Sequence, residues 1–316
     1  MLLGSRRSPA GAFFLGVLPC RHSTMSDAAP GPDTGRDAPA GAPANAPSPA
    51  RLARSAGLIG LATMTSRILG LVREQVLAYL FGAGDAMDAF LVAFRVPNLM
   101  RDLFAEGAMS AAFVPTFSRT LAASGRPRAW QLANSVVNAL VLVTGSLIVA
   151  ATLSAPWIVG LFAPEFAAVP GKFELTVLLT RVMVPFLTLV ALAAVCMGML
   201  NAMDRFFIPA LSPAMFNVGA ILSMLALVPA AHALGVPPIL AVAAGTLIGG
   251  FGQVVVQWPM LRRDGYRYAP TLDWRDPELR RILLLMGPGT IGLAATQVNV
   301  FVNTLLATGE GTGAVS

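Results

Sequence analysis

Charge is what this 316-residue chain has least of: 12% of its residues are Asp, Glu, Lys or Arg, against 55% that are hydrophobic. A soluble domain carries roughly 25% charged residues, so about half the usual complement is missing. That shortage argues against an ordinary soluble enzyme. It also argues against a nucleic-acid binder, although the formal net charge is +6. Cysteine is nearly absent, with Cys20 in a polar tail and Cys196 in an apolar run. Two such residues exclude a disulfide framework and a cysteine metal cluster. Histidine is limited to His22 and His232, which leaves no material for a zinc site or a histidine-based catalytic centre. Lysine occurs once, at Lys172, beside 21 arginines. Because even the loops use Arg, that excess reads as coding bias and not as phosphate recognition in itself.

What the chain does have is apolar length. Residues 1–24 carry Arg6, Arg7 and a short apolar stretch and look faintly like a signal peptide. Met25 offers a second start, and we expect the true start there. Residues 26–50 hold Ala, Pro, Gly, Asp and Ser with almost no large apolar side chain. They cannot bury enough surface to offset chain entropy, so residues 1–50 are expected to be a disordered or over-extended tail. From Ala56 onward the pattern changes. A membrane span needs about 20 mainly apolar residues. Seven such segments are expected, at about 56–81, 86–104, 131–154, 174–200, 207–229, 237–259 and 281–307, with a short helix at about 106–122. The reading is an all-α polytopic membrane protein over 51–308, with 309–316 beginning a further segment.

Loop charge orients these spans. Cytoplasmic loops carry excess Lys and Arg. Twelve arginines fall before the first span and in the loops after the second, fourth and sixth, among them Arg119, Arg205, Arg267 and Arg275. The alternate loops hold one basic residue, Lys172, together with Asp85, Glu165, Glu174 and Glu310. An odd number of spans with the N-terminus in the cytoplasm fits that asymmetry.

Some charges remain inside the apolar segments: Arg67, Arg73, Arg95, Arg101 and Arg181, with Glu74, Asp88, Asp102 and, at a span end, Glu106. An ionisable group at mid-bilayer costs about 2.5–3.5 kcal/mol on insertion scales, so such groups face a cavity or a partner. Arg67 and Glu74 are seven apart and share a helix face, as do Asp88, Arg95 and Asp102. The first two spans therefore present charged faces that could meet and line a polar cavity. Internal ion pairs that only dock helices explain Arg95 and Asp102 equally well, and snorkelling could account for Arg101. Arg67 and Arg73, deep in a span, favour a functional cavity; Arg181 carries no assigned role. Pro97, Pro185, Pro213 and Pro288 interrupt spans, as broken helices do around transporter sites, although proline is also simply frequent in such helices.

Two motifs carry less than they suggest. Gly287, Gly289 and Gly292 spell GxGxxG, but no strand precedes them, so a dinucleotide site is not expected. Gly245 and Gly249 form a GxxxG, most simply a close helix-packing face.

An ordered series of segments carries a family resemblance: Thr65-Ser-Arg67-Ile-Leu-Gly70-Leu-Val-Arg73-Glu74, Phe81 to Gly84, Asp88-Ala-Phe90, Pro97-Asn98-Leu-Met-Arg101, Phe104 to Pro115, Ala163 to Phe166, Asn201 to Pro209 and Met286-Gly-Pro288. Over about residues 52–308 the chain resembles the MurJ/MviN family of lipid II flippases, within the multidrug/oligosaccharidyl-lipid/polysaccharide exporter superfamily. The resemblance implies one lobe of a two-lobe flippase fold. The implied function is translocation of the undecaprenyl-diphosphate-linked peptidoglycan precursor across the bacterial inner membrane by alternating access, a transporter and not an enzyme. It implies that Arg67, Arg73 and Arg101 hold the diphosphate, with Asp88, Glu106, Glu74 and Asn98 as further substrate-site residues. No cofactor is implied, and a coupling ion is left open. Partners implied are lipid II and membrane lipids, with cell-wall synthesis proteins as candidates and no nucleic acid. Many relatives have Asp where this chain has Glu74. Relatives also continue into a second lobe with a further cavity arginine, so this chain reads as an N-terminal lobe that alone need not transport.

Three alternatives stay open. A cation-coupled multidrug or polysaccharide-lipid exporter should favour carboxylates in its cavity. A non-transporting assembly scaffold would need no cavity. A membrane enzyme acting on the same lipid would have to use Asp273, Asp276 and Glu278, the one acidic cluster in a loop, which a solvated juxtamembrane loop explains better.

Overall fold

The computed structural model describes residues 49–101 and 109–286. Among the described residues the chain is helical and has no strand. α1 runs Pro49–Phe81 and α2 Asp85–Arg101. α3 is Met109–Leu153, and a short α4, Ala155–Phe162, leads into a 3-10 turn at Pro164–Ala168. α5 is Lys172–Met183, α6 Phe186–Ala202, α7 Phe207–Ala233 and α8 Ile239–Arg263, and 277–286 are helical again. Among the described residues, four segments are long and apolar enough to cross a membrane: Ala111–Leu153, Lys172–Ala202 (α5 with α6), Phe207–Ala233 and Ile239–Arg263. Of the charges singled out above, Arg67, Arg73 and Glu74 lie on α1, Asp88, Arg95 and Arg101 on α2, and Arg181 on α5.

Three stretches differ from the sequence expectation. The short helix and the third span adjoin at a one-residue break, Gly125, and carry the single label α3, so that Arg119, Arg126 and Arg128 lie on or beside helix instead of in a loop. Gly125 makes the kink at φ 74°, ψ 178°. Pro127 follows within the first turn of the resumed helix, where its missing N–H costs nothing. The fourth span is two helices, because Pro185 removes a backbone donor and the chain turns at 184–185. The segment after α3, expected as loop, contains α4 and the 3-10 turn. The GxGxxG glycines, residues 287–307 of the last expected span, Asp102 and Glu106 lie outside the described residues.

α7 is the packing hub. α8 lies against it through the GxxxG face: a Cβ added at Gly249 would sit 2.6 Å from the Phe216 carbonyl oxygen, and one at Gly219 2.9 Å from the Gly249 Cα. Glycine is required where backbones approach this closely. On the other side, α1 is held by buried Asn217, whose Nδ2 donates to the Ser66 carbonyl at 3.0 Å. A row of tilted and stacked rings, Phe90, Phe94, Phe186 and Phe216, joins α2, α6 and α7 at centroid spacings of 5.5–5.9 Å. A second apolar cluster packs Phe113, Phe117, Trp130, Met199, Leu200 and Tyr266 between α3, α6 and the segment after α8.

That last segment is not a loose loop. Asn134 on α3 donates to the Arg267 carbonyl at 3.1 Å and accepts from the Tyr266 hydroxyl at 2.9 Å. Asn138, one turn on, donates to the Ala269 and Thr271 carbonyls and accepts from Tyr268. Burial pushes the Tyr266 phenol well above its ordinary range, which keeps it a neutral donor. Both aspartates of the acidic cluster are engaged here. Asp276 pairs with Arg128 at 2.9 Å and accepts the Glu278 N–H, while Asp273 accepts the Arg275 N–H. Carboxylates committed to capping and ion pairing are poor candidates for acid–base chemistry.

Candidate functional site

Arg67 and Arg73 sit six residues apart on α1, about 9 Å along the axis at 1.5 Å per residue. Arg67 is exposed at the wall of a groove of about 500 Å³ between α1, α6 and α7, with Ser66, Met197, Asn201 and Pro213. Arg73 is half-buried and borders a cavity of about 210 Å³ between α1, α6, α7 and α8. Met197 and Pro213 are walls of both spaces. The two guanidinium groups therefore open onto adjoining cavities within an otherwise apolar set of helices.

Arg73 is positioned from three directions. Its Nη2 pairs with the Glu74 carboxylate. Its guanidinium lies 5.3 Å from the centroid of the Phe216 ring, a cation–π contact. Phe216 itself is fixed by the Phe186 ring and by the glycine contact with α8. On its far side Arg73 borders a small enclosed space lined by Leu77, Phe90, Phe94, Met224 and Thr246. An arginine held by an aromatic face and one carboxylate, with open volume beside it, keeps donors free for an anionic ligand.

The other expected site residues are distributed differently. Asp88 is fully buried and is not among the walls of the cavities at Arg67 and Arg73. Its Oδ2 accepts from the Lys172 Nζ at 2.9 Å, and Asp85 accepts from the same ammonium at 2.8 Å. Lys172 is itself buried in the first turn of α5, with its Nζ 4.2 Å from the Phe166 centroid. Arg95, on α2, is half-buried, and Asn98 is not among the walls of the cavities at Arg67 and Arg73. Arg101 is the last residue of α2, and Glu106 lies outside the described residues. Arg181, which had no expected role, donates from Nε to the Thr152 carbonyl at 3.2 Å and so satisfies the end of α3.

Sequence reasoning missed the neutral polar residues of the site. Ser212, Asn217 and Gln253 line the Arg73 cavity opposite α1. Their signal was available: each is a hydrogen-bonding side chain inside an apolar membrane-length helix. It missed the Lys172 cluster as well, where the pointer was the chain's one lysine facing two aspartates three residues apart on α2.

Comparison with known proteins then identifies the relatives. A family model described as lipid II flippase MurJ matches residues 77–316. The chain is 37% identical over 266 residues to a probable lipid II flippase MurJ of Rhizobium meliloti, covering 84% of this chain and 49% of that protein. It is 34% identical over 258 residues to the lipid II flippase MurJ of Burkholderia cenocepacia, covering 80% and 49%. The chain thus spans about half the length of the curated relatives it matches. Its fold is similar to a solved lipid II flippase MurJ in an inward closed conformation, with a TM-score of 0.63 at 24% identity over 82% of this chain and 52% of that one. A MATE protein solved in complex with Br-NRF shares the fold with a TM-score of 0.54 at 17% identity, over 77% and 53%.

Proposed function

The chain belongs to the lipid II flippase MurJ family, and from that premise we propose that it forms the half of a flippase that takes hold of a lipid-linked diphosphate and carries it across the bacterial inner membrane by alternating access. The observation that carries this reading is the pair Arg67 and Arg73, placed by one helix on adjoining cavities in an apolar helical lobe. A diphosphate spreads charge over several oxygens, and two guanidinium forks suit it through charge-assisted, bidentate hydrogen bonds. The low dielectric of the surroundings strengthens that attraction. Glu74 competes for the same guanidinium and keeps Arg73 partly neutralised until an anion arrives. Arg101, Glu106 and Asn98 complete the expected contacts, while Asp88 contributes through Lys172 by holding α2 on α5. The substrate is lipid II, with membrane lipids around it.

The test uses a protein that joins this sequence to the second half its relatives have. Reconstituted in proteoliposomes, it should move lipid II between leaflets at a rate well above protein-free vesicles. Lipid II that stays in place while a cationic drug is exported would replace this reading with the multidrug exporter.

On the loop-charge asymmetry we propose that the N-terminus and residues 264–276 face the cytoplasm. A cysteine introduced at exposed Arg275 should react with a membrane-impermeant maleimide only after the cells are opened. Reaction in intact cells would invert the topology.

A further inference from the structure

Arg73 is not the only polar wall of its cavity. Ser212 and Asn217 on α7 and Gln253 on α8 face the same space, whose remaining walls are apolar, among them Val190, Ala194, Met197 and Phe216. A polar side chain inside an apolar helix bundle needs a partner. Two of these have one. Asn217 ties α7 to the Ser66 carbonyl. Ser212 donates to the Gln253 carbonyl at 3.3 Å and accepts from the Gln257 Nε2 at 3.1 Å.

Gln257, one turn beyond Gln253, displays what a packing glutamine does here. It is fully buried, and the two hydrogens of its Nε2 are shared among the Ala193 carbonyl, the Gln253 carbonyl and the Ser212 hydroxyl, knitting α6, α7 and α8. The Gln253 side-chain amide does none of this. Among the described residues it makes no hydrogen bond, and it opens onto the cavity beside Arg73. A carboxamide left with two donors and an acceptor free suits hydroxyl and acetamido groups, and it does not select for charge.

We propose that Gln253, flanked by Ser212 and Asn217, is a hydrogen-bonding subsite for an uncharged, hydroxyl- and acetamido-bearing sugar attached directly to the phosphates that Arg73 holds. This rests on the reading of Arg73 as the anion-binding residue and adds what that reading lacks: a contact that distinguishes a sugar-bearing lipid diphosphate from a bare one. A site built to hydrogen-bond a group discriminates against the ligand that lacks it, because its own polar atoms are then left unpaired.

The full chain in nanodiscs is titrated with two probes, undecaprenyl diphosphate and undecaprenyl diphosphate carrying an N-acetylated disaccharide, and binding is read by native mass spectrometry. Q253M, close in length and apolar, should weaken the sugar-bearing lipid about tenfold, the order of one lost hydrogen bond, and leave the bare diphosphate unchanged. R73A should weaken both. Equal effects of Q253M on the two lipids, or no effect on either, would overturn the subsite while leaving the role of Arg73 intact. R73A without effect on either lipid would overturn the proposed function instead. If Q253M does not fold, Q253N, which keeps the amide but shortens its reach, must show the same selective loss, and its absence overturns the subsite.

Discussion

Replacing Arg73 by alanine, in a protein that joins this sequence to the second half its relatives have, should leave flippase-depleted cells unrescued. The guanidinium is the polar group shared by the two spaces on either side of Phe216, so its loss removes the proposed anion contact and takes away the cation paired with Glu74. A hydrogen bond to a charged group is worth about 1.5–3 kcal/mol, which for a bidentate pair puts the loss on the order of 100-fold in substrate affinity. Arg67→Ala should act in the same direction at the neighbouring groove. Arg73→Lys separates charge from geometry. Lysine keeps the positive charge but loses the planar fork and its stacking on Phe216, so rescue should be partial. Full rescue by alanine would remove Arg73 from the substrate site, and full rescue by lysine would reduce its role to charge alone.

The largest expected effect on stability belongs to Lys172. Its ammonium pairs with both Asp85 and Asp88, and its side chain is 3% exposed beside an Asp88 that is 0% exposed. Lys172→Met leaves two carboxylates three residues apart on α2 with their shared cation gone. Breaking a buried ion pair from one side costs about 3–5 kcal/mol, because the remaining charge stays desolvated. Thermal unfolding of the chain in detergent should show a large loss for Lys172→Met. Combining it with Asp85→Asn and Asp88→Asn should recover most of that loss, since replacing every member of a buried charge set is far less costly than removing one. An unchanged melting temperature for Lys172→Met alone would show that the cluster does not hold α2 to α5. The experiment also bears on Asp88, whose place in the family pattern suggests a substrate contact but whose carboxylate is here occupied by Lys172.

The all-helical membrane fold was legible in the sequence, because apolar length in a chain short of charge leaves few other structures. Arg67 and Arg73 stood out as well, since a guanidinium in an apolar run demands an explanation wherever the run folds, and both border cavities. The GxxxG of α8 was readable as a packing face, and Gly249 does meet the Phe216 carbonyl. Other features were not readable because they depend on neighbours remote in sequence. Seven-residue spacing put Asp88 on a stripe with Arg95, yet it could not reveal that Lys172, 84 positions away, reaches the same carboxylate. Loop composition suggested that residues 264–276 were solvated. Asn134 and Asn138, more than 130 positions earlier, hold that strap on α3 instead.

By itself, then, the sequence determined that the chain is helical and built for a membrane, and which charges need a purpose. Those properties follow from the cost of exposing backbone and charge to hydrocarbon, which each segment carries with it. Only the tertiary structure decided which charges are spent on one another and which are left open. It closed Lys172 onto Asp85 and Asp88, set Arg73 between Glu74 and Phe216, and left the Gln253 amide facing a cavity. Ion pairing and hydrogen bonding act over a few ångströms, and only the packing of helices distant in sequence brings those groups within that range.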